Sequence, residues 1–240
     1  MYFKPHLEIL SEAQNWVYPQ LRNLKKHGFV LYGGTALALQ LGQRQSVGFE
    51  FFLHERLTQK LLRDACPLLG DESLVTQIHD SENTVTFEIS HPDSGKGTAT
   101  ISFFGNRGYG RVGEPRLAED GVLVVASALD IFATKLKGII QRPSTEDFAD
   151  IIRLIKSQES LFEALEAASI LFGTDFSPML ALKALSYFDE LKPPLSQVDA
   201  SFLIEQVSNT LKTISVRNIK RPSLSFKNLC QKNFRTSNFL

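Results

Sequence analysis

Two cysteines, one tryptophan and two methionines are spread over 240 residues. Cys66 and Cys230 stand far apart, with no further ligands at metal spacing. That excludes a disulfide framework and a thiolate metal cage, and it points to a reducing, cytoplasmic setting. No stretch reaches the roughly 18 consecutive apolar residues of a membrane span. The longest candidate, 122–133, is cut by Asp130. A secretory leader is not expected, because Met1 to His6 runs straight into an amphipathic pattern carrying Glu8, Glu12 and Gln14. Net charge is missing too: 26 basic residues meet 26 acidic ones, which excludes a wholly basic nucleic-acid binder. With 43% hydrophobic and 22% charged residues the chain is neither disordered nor fibrous. Its length suits one large domain or two small ones.

The zero is a cancellation. After Glu205 there is no acid, while Lys212, Arg217, Lys220, Arg221, Lys227, Lys232 and Arg235 follow. The last 35 residues therefore carry +7 and the first 205 carry −7. Such a tail suits contact with a polyanion such as RNA, and it reads equally well as a solvated terminus without a role.

Apolar residues at Leu7, Leu10, Ala13, Val17, Leu21 and Leu24 predict one helix over 7–24, closed by Gly28 in a left-handed cap. A short buried strand is expected at 29–32 and a helix at 36–41. The segment 47–53 reads as a second strand, with Phe49 and Phe51 on one face and Gly48, Glu50 and Phe52 on the other. A helix over 57–69 is broken late by Pro67, and strands follow at 74–79, 84–90, 98–104 and 121–125. Beyond them the pattern is helical: 128–140, 145–156, 160–172, 178–191 and 198–213. The expected architecture is a mixed α/β (α+β) module over 1–125, a helical, bundle-like part over 126–213 and a basic tail over 214–240.

Gly33-Gly34-Thr35 lies where a buried strand hands over to a helix. Two glycines admit close backbone approach, amide groups at a helix start attract phosphate, and Thr35 suits a helix cap. Taken alone, the tripeptide is also an ordinary tight turn. On the next strand, side chains at 48 and 50 share a face, where two carboxylates would converge on Mg²⁺ and bridge it to nucleotide phosphates. Here position 48 is glycine and position 50 is glutamate, so one carboxylate remains. Other signals carry less. Gly108-Tyr109-Gly110-Arg111-Val112-Gly113 fits a dinucleotide fingerprint in letters, yet no helix opens after it. His6, His27, His54, His79 and His91 lack ligand spacing, and Ser102 and Ser127 lack a nucleophile elbow.

Together, Gly33-Gly34-Thr35-Ala36, Leu41-Gly42-Gln43-Arg44 and Ser46-Val47-Gly48-Phe49-Glu50-Phe51-Phe52 resemble the signature of the AbiEii/AbiGii toxin family of nucleotidyltransferases. Members of that family typically read Gly-Gly-Thr-Ala, Leu-Gly-His-Arg and Ser-x-Asp-Phe-Asp-Phe-Phe. The similarity continues through Ile101-Ser102-Phe103-Phe104, Arg111-Val112-Gly113-Glu114-Pro115, Val125-Ala126-Ser127-Ala128-Leu129-Asp130, Ala133-Thr134-Lys135-Leu136-Lys137 and Glu146-Asp147-Phe148-Ala149-Asp150-Ile151. It spans roughly 28–190.

The resemblance implies a nucleotidyltransferase-like mixed sheet with flanking helices and an appended helical part. It implies transfer of a nucleoside monophosphate from an NTP, with Mg²⁺ or Mn²⁺, to RNA such as a tRNA end or to a protein hydroxyl. The biological setting would be toxin–antitoxin or abortive-infection defence, with an antitoxin as a further partner and no membrane. Residue by residue, it implies Gly33, Gly34 and Thr35 at the triphosphate, with Arg44 and Ser46 nearby. Glu50 matches the second metal-binding acid and Lys135 the active-site lysine. Asp147 and Asp150 match the acids of a Lys-Asp-Phe-x-Asp motif whose lysine is replaced by Glu146. Gly48 stands where the first aspartate is expected. The chain is therefore read either as a nucleotidyltransferase of weakened activity or as an inactive scaffold that binds nucleotide, RNA or a partner.

Overall fold

A computed structural model describes residues 1–42, 45, 48–108, 110–188 and 190–216. The chain opens with β1 (Tyr2–Phe3), a 3-10 turn at Leu7–Ile9, α1 (Glu12–Val17) and a 3-10 segment at Tyr18–His27. Of the apolar positions expected of a single helix, Leu10, Ala13, Val17, Leu21 and Leu24 are buried and Leu7 partly so, but the backbone is divided. Two local causes divide it. Ser11 and Gln14 form a capping box that starts a new helix. Pro19 has no amide hydrogen to continue the ladder, so the chain tightens beyond it. Gly28, at φ +80°, ends the segment as expected.

Then come β2 (Val30–Tyr32), α2 (Gly33–Leu41), β3 (Gly48–Phe52) and α3 (Gln59–Ala65), the last ending just before Pro67. Three longer strands follow, β4 (Val75–Ser81), β5 (Thr84–Ser90) and β6 (Thr98–Phe104). Short strands β7 (Arg116–Ala118) and β8 (Val124–Val125) close this stretch. The five-residue strand expected at 121–125 shrinks to two residues because Gly121, at φ +70°, turns the chain and Asp120 accepts the Val122 amide. Strands β1 and β7 are too short to show alternation and were not expected.

The eight strands among the described residues form one mixed sheet, ordered β1-β7-β8-β2-β3-β6-β5-β4. Pairing is parallel for β1–β7, β2–β8 and β3–β6, and antiparallel for β2–β3, β4–β5, β5–β6 and β7–β8. Glu50 of β3 lies opposite Tyr32 of β2 and Ser102 of β6; Gly48 lies opposite Thr100. Alternation divides the faces as the sequence indicates. Phe49, Phe51, Ile101 and Phe103 are wholly buried, whereas Gly48, Glu50, Phe52, Thr100, Ser102 and Phe104 are half-buried on the opposite face.

The C-terminal part contains α4 (Ala128–Gln141), α5 (Thr145–Lys156), α6 (Leu161–Phe172), α7 (Pro178–Ala184) and α8 (Gln197–Val216). Serines 127, 144, 160 and 177 cap the first four of these helices, each accepting a backbone amide hydrogen. Helix α7 ends short of the expected 191, and Ser186 donates to the Leu182 carbonyl at the point where the ladder stops. Helix α8 runs three residues beyond its expected end. Buried apolar residues from Phe3 to Val207 form a single cluster. No described helix is long and apolar enough to cross a membrane.

Candidate active site

The half-buried face of β3 and β6 forms one wall of a cleft of about 410 Å³; helices α4 and α5 form the other. Gly34, Gly48, Glu50 and Ser102 line the sheet side, and Lys135, Arg142 and Asp147 the helical side. Two stretches more than eighty residues apart in the chain therefore meet around one cleft.

On the sheet side, Gly33 opens α2 with φ +74°, a conformation that favours glycine. The Glu50 carboxylate lies directly against it: a Cβ on Gly33 would fall 2.0 Å from Glu50 Oε2. Gly33 is thus required twice, by its backbone and by its neighbour. Thr35 is placed differently from its expected role. The N-cap of α2 is Tyr32, and Thr35 is 1% exposed with its hydroxyl donating to the Gly48 carbonyl. It ties α2 to β3 and is not among the residues that line the cleft. Gly48 also faces a crowded space, since a Cβ there would lie 2.8 Å from the Thr100 carbonyl oxygen and 3.1 Å from Thr100 Cβ. Arg44 and Ser46, expected near the phosphates, lie outside the described residues.

On the helical side, Lys135 is held between two aspartates. Its Nζ is 2.5 Å from Asp147 Oδ1 and 3.0 Å from Asp150 Oδ2. Arg153 Nη1 reaches the other oxygen of Asp150 at 3.0 Å. Asp150 is fully buried, so it stands behind Lys135 and holds it, while Asp147 reaches the cleft. Burial alone would lower the lysine pKa; the Asp150 and Asp147 carboxylates outweigh it and hold the ammonium above its usual range. The 12-residue separation of Lys135 and Asp147 hides the contact in the sequence, and the turn after α4 creates it by laying α5 alongside.

Arg142, Ser144 and Glu146 also line the cleft and carried no assigned contact in the sequence pattern. Arg142 follows the last residue of α4, where only proximity to the turn marks it. The lining residues include three carboxylates (Glu50, Glu146, Asp147) and two cations (Lys135, Arg142). A polyphosphate entering this cleft needs a companion cation. Among the described residues no group of three His, Cys, Asp or Glu side chains is placed to hold a metal. The oxygen donors of Glu50 fit Mg²⁺ carried in on phosphate, which characteristically uses one or two protein carboxylates, and do not fit a resident ion.

No curated protein matches the chain. Among solved structures, a protein from H. pylori assigned as a nucleotidyltransferase superposes with a TM-score of 0.54 at 17% identity, covering 88% of this chain and 95% of that one. MenT4, a nucleotidyltransferase toxin from Mycobacterium tuberculosis H37Rv, superposes with a TM-score of 0.54 at 13% identity, covering 80% of each. At such identities the likeness establishes the nucleotidyltransferase fold. The family model for the nucleotidyl transferase AbiEii toxin of type IV toxin–antitoxin systems matches residues 21–229. With most of its length matched, and the glycine turn, Glu50, Lys135 and Asp147 gathered around one cleft, the chain belongs to the AbiEii nucleotidyltransferase toxin family.

Proposed function

We propose that the cleft binds an NTP with Mg²⁺ or Mn²⁺ and transfers its nucleoside monophosphate to an acceptor hydroxyl, RNA being the favoured acceptor. The observation that carries this reading is the convergence of Gly34, Glu50, Lys135 and Asp147 on one cleft. The α2 N-terminus offers backbone N–H groups to phosphate. Lys135 has three ammonium hydrogens; Asp147 and Asp150 engage two, which leaves one to donate to a phosphate oxygen. The metal, bound through Glu50, would supply neutralisation of phosphate charge. The acceptor oxygen forms a bond to the α-phosphorus, the bond to the bridging oxygen breaks, and pyrophosphate leaves with its electron pair. The hydroxyl proton passes to a cleft carboxylate or to water. Asp150 and Arg153 position Lys135 and touch no substrate. The basic C-terminal segment supplies phosphate contacts to RNA. A cytoplasmic toxin countered by an antitoxin is the setting this chemistry fits.

A second reading is favoured by Gly48. The expected first carboxylate is absent and its space is filled by Thr100, which suits a protein that binds nucleotide, RNA or a partner without catalysing transfer. Incubation with labelled NTPs, Mg²⁺ or Mn²⁺ and total RNA separates the two. Label transfer abolished by both Lys135→Ala and Asp147→Ala establishes the enzyme; nucleotide binding without transfer establishes the scaffold.

A further inference from the structure

Beyond Glu50 on the same face of β3 the cleft gives way to a second pocket of about 260 Å³ whose walls are aromatic and cationic. Phe52, two residues and about 7 Å along the strand from Glu50, is its floor. Tyr32 stacks on Phe52 with ring centroids 4.5 Å apart, and Phe104 meets Phe52 edge-on at 5.1 Å. Arg107 lies over both phenylalanines, 5.4 Å from the Phe52 centroid and 5.1 Å from that of Phe104. Its Nε is buried and has no hydrogen-bond partner among the described residues. His54 and Arg111 add to the rim, and no described carboxylate lines the pocket.

This arrangement is preformed. The Arg107 amide donates to the Leu53 carbonyl at 3.3 Å, the Asn106 amide to Glu55 at 2.8 Å, and His54 Nδ1 to the Arg107 carbonyl at 3.1 Å. Farther along the same loop, the Val112 and Gly113 amides donate to Asp130, 2.9 and 3.1 Å from its two oxygens, and Asp130 belongs to the first turn of the helix that carries Lys135. The wall of the pocket is therefore anchored to both sides of the cleft.

A half-buried guanidinium lying over aromatic rings, in a pocket whose described lining holds no carboxylate, matches the chemistry of an unpaired nucleobase. Bases stack on guanidinium planes and aromatic faces, and they offer acceptors to an unsatisfied N–H. The spacing to Glu50 is about that between a base and the phosphorus of its own or the adjacent nucleotide. We infer that the Tyr32–Phe52–Arg107 pocket is a nucleobase site, stacking an unpaired base whose sugar-phosphate reaches the Glu50 cleft. The inference rests on the nucleotidyl-transfer reading of that cleft and names what lies beside it. The base comes either from the incoming NTP or from the end of a single-stranded RNA acceptor.

Binding, measured without turnover, tests it on the full chain. One arm compares each NTP with ribose 5′-triphosphate. The other compares a short single-stranded oligoribonucleotide with the same strand carrying abasic ends. The wild-type protein should prefer the base-bearing ligand in one arm by roughly five- to a hundred-fold, the range typical of one stacked base. Arg107→Gln should erase that preference and Arg107→Lys, which keeps the charge but not the plane, should lose most of it. Arg56→Gln, on an exposed residue away from the Phe52 pocket and the Glu50 cleft, should change nothing. A preference in the NTP arm assigns the base to the donor, and one in the RNA arm assigns it to the acceptor. Wild-type binding that ignores the base in both arms overturns the inference while leaving nucleotidyl transfer standing. Failure to bind either class of ligand overturns both.

Discussion

At Gly48 the backbone of β3 runs so close to β6 that a missing carboxylate is only part of the difference from the family pattern. The neighbour at 2.8 Å is a backbone carbonyl, which cannot swing aside as a side chain does. Gly48→Ala and Gly48→Asp should both lose stability, by about 1–3 kcal/mol, because overpacking forces the strands apart. Urea unfolding checks this, and an aspartate variant as stable as the parent would show that the strand has room. Restoring the acid thus tests catalysis cleanly only beside the alanine control. Lys135 is the opposite case, a group whose partners are all in place. Lys135→Met takes one cation from the buried Asp150, which keeps Arg153, and should cost about 3 kcal/mol, the low end for breaking a buried pair. The folded-state pKa lies above the usual 10.5, so the unfolded chain loses its proton first. The contribution is complete below about pH 10 and is lost as pH rises through the folded value. Thermal melts of the parent should fall on that alkaline side, with the Lys135→Met variant flatter there; equal alkaline loss in both would refute the linkage.

Serine caps organise the helical part at the next scale. Ser144 caps α5 and accepts the amide hydrogen of Asp147 itself, 3.2 Å away, whereas Ser160 caps α6 far from the cleft lining. Ser144→Ala and Ser160→Ala should each cost about 1 kcal/mol. Only the first should also weaken NTP binding, since it loosens the turn that carries Asp147. Calorimetry of binding beside denaturant melts separates the effects, and parallel losses in both variants would sink the distinction. Elements such as α5 were legible because a polar cap, a 3.6-residue apolar period and a definite end coincide at 144–156. The strand of Glu50 was legible because Phe49 and Phe51 alternate with it. The first helix misled because apolar residues three apart share a face in both α and 3-10 backbone, and Pro19 decides between them. The Thr35 bond to Gly48 and the Arg107 clamp were not legible at all. The first joins a helix to a strand and the second a loop to two paired strands, contacts that exist only once the sheet is folded.

For the whole molecule, the charge division seen in the sequence acquires a boundary. Helix α8 continues to Val216 and buries Leu203, Val207 and Thr210, so a cut after Glu205 would damage packing as well as remove charge. A cut after Val216 removes six of the seven tail cations and leaves α8 whole. If the tail meets RNA, the salt dependence of binding should become shallower by about 0.7 in log–log slope for each phosphate that the shortened chain no longer neutralises. Filter binding across a salt series reads this directly, and an unchanged slope would place the RNA-binding surface elsewhere.

The order of strands also carries a consequence in time. Strand β3 bears Glu50, yet its parallel partner β6 arrives fifty residues later, and Lys135 and Asp147 later still. While the chain is being made, the hairpins β4–β5 and β5–β6 can close from local sequence, but no part of the cleft has two walls until α5 has been released. A nascent or prematurely ended chain therefore lacks the cleft altogether: the site arises late and all at once, when residues near 150 find strands laid down a hundred residues before.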